Sequence, residues 1–182
     1  MTDLFQQTLH SAATQSPALA ALAIFCANDL LFVLVALMVF LGALNLRRLT
    51  WSLVARVAVS LAVAALLTLL LNHLVTDVRP FVTEHYAPLA HAANDNGFPS
   101  DHSLIAALLV FWTWWIDRRW LAVFVVGMLA VMAGRLGIGA HHTLDVLGSL
   151  VFAAAGSAAA LAARFPADWN GRRVVPAQRQ RA

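Results

Sequence analysis

Seven residues in three short stretches carry side chains suited to holding and cleaving a phosphate. They are Arg79 in "TDVRPF", Ser100, Asp101 and His102 in "NGFPSDHSLIAALLVFWTWW", and Arg135, His141 and Asp145 in "GRLGIGAHHTLD". Arginine offers planar paired donors that match phosphate oxygens, and a helix N-terminus adds unpaired amides with a partial positive charge. Ser100 suits the N-cap of a helix whose first amides, those of Asp101, His102 and Ser103, would point at an anion. His141 and Asp145 are four apart, which places them on one face if a helix has begun by His141. A carboxylate beside an imidazole fixes its tautomer and stabilises its cation, as a nucleophilic or basic histidine requires.

These residues sit among elements made for lipid. Of 182 residues, 61% are hydrophobic and 12% charged, too apolar a balance for a water-soluble domain of this size. The apolar residues fall in five blocks, Leu30 to Leu46, Leu53 to Leu71, Ser103 to Ile116, Leu121 to Ala133 and Leu144 to Ala163. A hydrocarbon core of roughly 30 Å at about 1.5 Å per residue needs some 20 residues of helix. The third helix must therefore start near Ser100 and the fourth run on to about Arg135. The fold class read from this pattern is all-α, a polytopic membrane bundle of about five transmembrane helices. A sixth is possible if Ala18 to Ala27, cut from the first span by Asn28 and Asp29, forms its own helix in the interface instead of lengthening that span. The first fifteen residues show no basic region and no cleavage pattern of a signal peptide, and a single cysteine, Cys26, excludes an internal disulfide.

All twelve basic residues are arginine, and ten of them lie in the connections between helices one and two, between three and four, and after five. The positive-inside rule assigns these ten to the cytoplasm, and the six tryptophans agree, since all fall near that same face, where amphipathic rings favour the headgroup level. Residues 1–163 then form the membrane-embedded domain, and residues 164–182 a basic cytoplasmic tail, read as disordered or lying on the surface. Arg79 and Arg135 break the rule. They fall on the opposite face with His73, His85, His91, His102, His141, His142, Asp77, Glu84, Asp95, Asp101 and Asp145, so the chemistry is expected at the outer membrane interface.

Arg79–Pro80, the "PSDH" of Pro99 to His102, and the Arg135, His141, Asp145 spacing resemble the three signature motifs of the type 2 phosphatidic acid phosphatase superfamily. "RPFV", "HAANDNGFPSDH" and "HHTLDVLGSL" resemble most closely its bacterial undecaprenyl-diphosphatase branch. The resemblance implies His141 as nucleophile, His102 as general acid and Asp145 as partner of His141, with Arg79, Arg135, Ser100 and the Asp101 amide holding phosphate. It further implies hydrolysis of undecaprenyl diphosphate in the bacterial plasma membrane to recycle the cell-wall lipid carrier, with no metal, no cofactor and no nucleic-acid partner. Its partners are the polyprenyl diphosphate and membrane lipids. Three residues depart from the family pattern: Asn72 stands for its lysine, Gly134 for its serine and Asp101 for its glycine.

Other readings use some of the same residues. His141 and Asp145 alone would suit a structural pair, and His85, His91 and His142 alone would be ordinary loop histidines. Another lipid phosphate, such as phosphatidylglycerol phosphate or phosphatidic acid, would suit the same phosphate-binding groups. A metal-binding transport protein could use the outer histidines and acids, although no HExxH or paired Cys/His spacing is present.

Overall fold

The computed structural model describes residues 3–175, and every regular element among them is helical. In chain order these are α1 (Leu4–Thr14), α2 (Pro17–Leu44), α3 (Trp51–Asn72), the one-turn α4 (Pro80–Thr83), α5 (Asp101–Ile116), α6 (Leu121–Gly137, entered through a 3₁₀ turn at Arg118–Trp120), α7 (Thr143–Ala162) and α8 (Ala167–Gly171). Four of them, counting α6 with its 3₁₀ turn, are long and apolar enough to cross a membrane: Pro17–Leu44, Trp51–Asn72, Arg118–Gly137 and Thr143–Ala162. The five apolar blocks thus correspond to these four and α5. As expected, α5 begins directly after Ser100, and α6 continues beyond Arg135 to Gly137.

The first span settles the question of Ala18 to Ala27. That stretch lengthens the span, because α2 is continuous and passes Asn28 and Asp29 through a π-helical turn, Phe25–Asp29. A π turn inserts an extra residue without breaking the backbone ladder, so two polar residues are accommodated inside one helix. The separate N-terminal helix is the earlier α1, capped by the Asp3 carboxylate on the Gln6 amide at 3.0 Å.

The 16-residue α5 is the shortest of the apolar helices and lies at the centre of the bundle. Leu104, Ala106, Ala107, Leu108 and Leu109 are all buried, against α2, α3, α6 and α7. The outer helices instead expose Phe32, Val39, Leu69, Val126 and Val151, the pattern of a bundle whose solvent is hydrocarbon. Small residues bring α3 and α7 together, Gly156 against the Ser60 carbonyl and Ala64. Across the bundle, Trp112 donates to Ser60 Oγ at 2.9 Å.

The start of the tail is folded. Arg173 forms an antiparallel bridge with Thr50, Val174 N–H bonds Leu49 O at 3.0 Å, and α8 lies between this bridge and α7. Of the two readings of the tail, disordered or lying on the surface, the second holds as far as residue 175. Arg179 and Arg181 lie outside the described residues.

At the other end of the bundle, α1 lies against α6 and the loop that follows it. Fully buried Gln6 donates to Tyr86 Oη at 3.1 Å and to Leu136 O at 3.4 Å, and His10 Nδ1 bonds Gly137 O at 2.8 Å. Asp3 accepts from both the amide and the hydroxyl of Thr143. The segment Gly137 to Thr143 is therefore held from outside, and it carries the histidines expected to do chemistry.

Candidate active site

The α6–α7 loop turns sharply at Gly139, whose φ of +79° and contact with the Tyr86 ring leave no room for a side chain. Helix α7 starts only at Thr143, with His142 at the N-cap, so His141 lies in the loop and not on a shared helical face with Asp145. The two residues meet for another reason. Asp145, third in the helix, turns back to accept the His142 amide at 2.8 Å, and the same Oδ2 lies 3.3 Å from His141 Nδ1. Gly97 O lies closer, 2.9 Å from Nδ1.

Two arginines converge on the other ring nitrogen. Arg79 Nη1 and Arg135 Nη2 each stand 3.2 Å from His141 Nε2. Guanidinium nitrogens only donate, and a carbonyl only accepts. Nε2 must therefore carry the lone pair and Nδ1 the proton, which is the neutral tautomer with its nucleophilic nitrogen facing two cations. Burial, then Arg135 and Arg79, hold the His141 pKa well below the usual histidine value.

Each arginine is anchored from behind. Arg79 immediately precedes α4; its Nη1 bonds Ala140 O at 2.9 Å, and Nε and Nη2 both bond Asp95 Oδ1. Arg135 Nη1 bonds Asn28 Oδ1 at 3.4 Å, which the π turn of α2 presents to it. Arg135 Nε has no partner among the described residues.

Arg79, Arg135, His102, His141 and Asp101 line one cavity of about 470 Å³, so five of the seven expected residues share a space. His102 stands in the first turn of α5, and the amides of Asp101, His102 and Ser103 have no acceptor within the described chain. Asp101 is exposed and makes no salt bridge among the described residues. Asp145 lies behind the cavity, fully buried against His141. Ser100 departs from expectation. It occupies the N-cap position, but its hydroxyl accepts from Ser103 Oγ at 3.1 Å and caps nothing; it is fully buried and outside the cavity wall. Its carbonyl accepts from Ser149 Oγ at 2.8 Å, which ties α5 to α7.

Two family departures acquire physical reasons. Asn72 donates to Phe98 O at 3.1 Å and so fastens the loop before α5 to the end of α3. Gly134 packs on the π turn: a Cβ there would come within 2.6 Å of Ala27 N. The sequence reading missed Asn28, Asp95 and Gly97 as supports of the site, and Phe32 and His91 as cavity walls. Asn28 had been visible only as a polar interruption of an apolar block.

Among the described residues, Asp77, His142 and Asp145 form a cluster of possible metal ligands whose donor atoms lie within 4.8 Å of one another. Their donor atoms already have partners: His142 Nδ1 meets Asp77 Oδ2 at 2.7 Å, and the backbone amide of His142 donates to Asp145 Oδ2.

Comparison with known proteins gives the site a context. Residues 53–169 match the PAP2 superfamily. The chain is 35% identical over 141 residues to YbjG of Escherichia coli (strain K12), a candidate undecaprenyl-diphosphatase, covering 75% of this chain and 69% of that protein. It is 36% identical over 89 residues to the undecaprenyl-diphosphatase BcrC of Bacillus subtilis (strain 168), covering 47% of this chain and 46% of BcrC. The crystal structure of a transmembrane PAP2-type phosphatidylglycerolphosphate phosphatase from Bacillus subtilis superposes with a TM-score of 0.60 at 22% identity, over 91% of this chain and 90% of that one.

Proposed function

This chain belongs to the PAP2 superfamily as a multi-pass membrane phosphatase, and on that premise we propose that it hydrolyses undecaprenyl diphosphate to undecaprenyl phosphate and inorganic phosphate. The observation that carries the reading is the pair of guanidinium donors at 3.2 Å from a His141 Nε2 that bears its lone pair.

In the proposed cycle, Nε2 attacks the terminal phosphorus in line while Arg79, Arg135 and the first amides of α5 take the equatorial oxygens. The bond from that phosphorus to the bridging oxygen breaks, and protonated His102 gives its proton to the departing lipid phosphate. Asp145 stabilises the cationic phosphohistidine through Nδ1–H. Water then attacks the phosphorus, His102 takes the water's proton, and phosphate leaves with His141 neutral again. Two arginines and a helix terminus supply the positive charge, so the cycle needs no metal ion.

A lipid substrate is supported by Phe32, which is 68% exposed on the hydrocarbon-facing side of α2 and also walls the cavity. A headgroup can reach the site sideways while its chain stays in lipid. Access from the bilayer suits a cavity at the outer face of the plasma membrane, with the arginine-rich end in the cytoplasm. Reporter fusions after Val82 and after Ala167 should give opposite sidedness, the second cytoplasmic.

The substrate is tested with purified protein in detergent against polyprenyl diphosphate, phosphatidylglycerol phosphate and phosphatidic acid. Polyprenyl diphosphate should have the highest kcat/KM, by about tenfold or more, because a lipid phosphate leaves more readily than an alkoxide. A preference for either glycerolipid would overturn the substrate assignment.

A further inference from the structure

A second cavity, of about 1030 Å³, opens at the arginine-rich end of the bundle. Trp115 lines it and His102 lines the catalytic cavity, so roughly 20 Å of α5 separates the two. Its floor is α5, and its walls are α6 on one side and the packed pair of α3 and α7 on the other. Further from the helix ends the groove is apolar, lined by Val110, Phe111 and Val125. At its mouth stand Arg48, Arg56 and Arg118, none of which makes a salt bridge among the described residues. Arg118 Cζ lies 4.0 Å from the centre of the Trp114 ring, a contact that keeps its guanidinium at the rim. Arg56 is half-buried, five residues inside the span Trp51–Asn72, where a charge without a counter-ion is costly. The one acid on the wall among the described residues, Asp117, accepts from the Arg119 amide at 3.2 Å and leaves the three guanidiniums in excess.

We propose that this groove is a binding site for one anionic phospholipid, its phosphate held between Arg56 and Arg118 and an acyl chain lying along Val110, Phe111 and Val125. A cationic mouth joined to an apolar trough matches a lipid and not a water-soluble anion, which would leave the trough unfilled. The bound phosphate supplies the counter-charge that Arg56 lacks, and Arg48 adds a third cation at the exposed edge. Charge also weighs against other occupants. Residues 176–182 of this chain carry Arg179 and Arg181 and no acid, so the mouth repels them. A second copy docked on the same surface by two-fold symmetry would set these arginines against their own equivalents.

The test uses the full chain, purified and stripped of lipid in detergent, titrated with phosphatidylglycerol in mixed micelles and read by native mass spectrometry. One phosphatidylglycerol should bind, and phosphatidylcholine at least about tenfold more weakly. Arg56→Gln and Arg118→Gln should each weaken binding about fivefold, the loss expected for one arginine beside an anionic lipid. Arg47→Gln and Arg119→Gln remove charges from the same end of the bundle but off the groove, and should stay within about twofold of wild type. Val125→Phe fills the trough and should weaken binding with every arginine in place. Thermal melting without added lipid confirms that each variant is folded. Equal losses from all four arginine variants would reduce the site to a diffuse basic surface and overturn the inference. No loss from any of them would place the lipid elsewhere, in the catalytic cavity first of all, and overturn it too. Glycerol phosphate competing as well as the lipid would make the groove a site for free phosphate. A dimer in detergent that Val125→Phe dissociates would give the groove to a second copy.

Discussion

Asp95 Oδ1 accepts two hydrogen bonds from Arg79, from Nε at 2.9 Å and from Nη2 at 2.6 Å. One carboxylate oxygen thus occupies the edge of the guanidinium that would otherwise be free for phosphate, and it does so from a side chain that is 65% exposed. The contact holds Arg79 and at the same time adds a negative charge to an anion site. Exposure makes the anchoring weak, and Arg79 keeps its bond to Ala140 O without it. Asp95→Asn should therefore lower KM for an anionic lipid two- to fivefold at low salt with kcat little changed. The gain should fade as ionic strength rises through about 0.15 M. Steady-state kinetics across a salt series check this, and a KM that rises at every salt would show that anchoring outweighs repulsion.

Gly134 yields a prediction that runs against the family pattern. Restoring the serine of that pattern, Gly134→Ser, places a Cβ 2.6 Å from Ala27 N and 2.8 Å from Cys26 C. These are backbone atoms of the π turn and cannot rotate away. Overpacking of this kind costs about 1–3 kcal/mol. The turn that must move also presents Asn28 to Arg135. The variant should melt several degrees lower in detergent and lose kcat/KM as well. A variant as stable as wild type would mean that α2 and α6 separate easily at this crossing.

How far the sequence carried the reading differs from residue to residue. Arg79 and Arg135 were legible because they stand on the face opposite the other ten arginines, and His102, His141 and Asp145 because each is a polar group at the head of an apolar block, where composition alone gives no reason for it. The helix boundaries at Ser100 and beyond Arg135 were legible because a membrane fixes the length a span must reach. Asn28 was not, since its use depends on a π turn, and one extra backbone residue leaves no periodicity to read. The pairing of His141 with Asp145 was foreseen, but through helical spacing; it comes instead from a carboxylate folding back over the N-terminus of α7. Asp3, Gln6 and His10 were invisible as supports because their partners lie about 80 to 140 residues away in the chain.

The depressed pKa of His141 fixes two pH dependences. In the proposed cycle its neutral form is the nucleophile, so the acid limb of kcat/KM should fall below pH 6.5, the ordinary histidine value. Stability follows the same group with a definite sign. Unfolded His141 binds a proton near pH 6.5 and folded His141 only at lower pH, so below pH 6.5 the unfolded state holds more protons. The contribution is complete above that pH and is lost as pH falls towards the folded value. Melting temperature should therefore drop between about pH 7 and pH 5, and drop less in His141→Asn. An acid limb above pH 6.5 would contradict the burial and the two flanking arginines.

A covalent phosphohistidine is the sharpest consequence of the proposed cycle. With Nδ1 hydrogen-bonded to Gly97 O and facing Asp145, Nε2 is the ring atom available to phosphorus. Rapid quench with substrate labelled on the terminal phosphate should trap acid-labile, base-stable label on the wild type and none on His141→Ala. His141→Ala should lose turnover with every substrate, since no other group replaces Nε2. His102→Ala should behave differently, because it removes a proton donor and leaves the nucleophile in place. A lipid phosphate departs without much protonation, whereas an alkoxide requires it, so the variant should lose on the order of ten times more activity on a phosphate monoester than on a diphosphate. In the same variant label should accumulate on His141, because the base that activates water for the second step is gone. Label on His102, or label persisting in His141→Ala, would reverse the two roles.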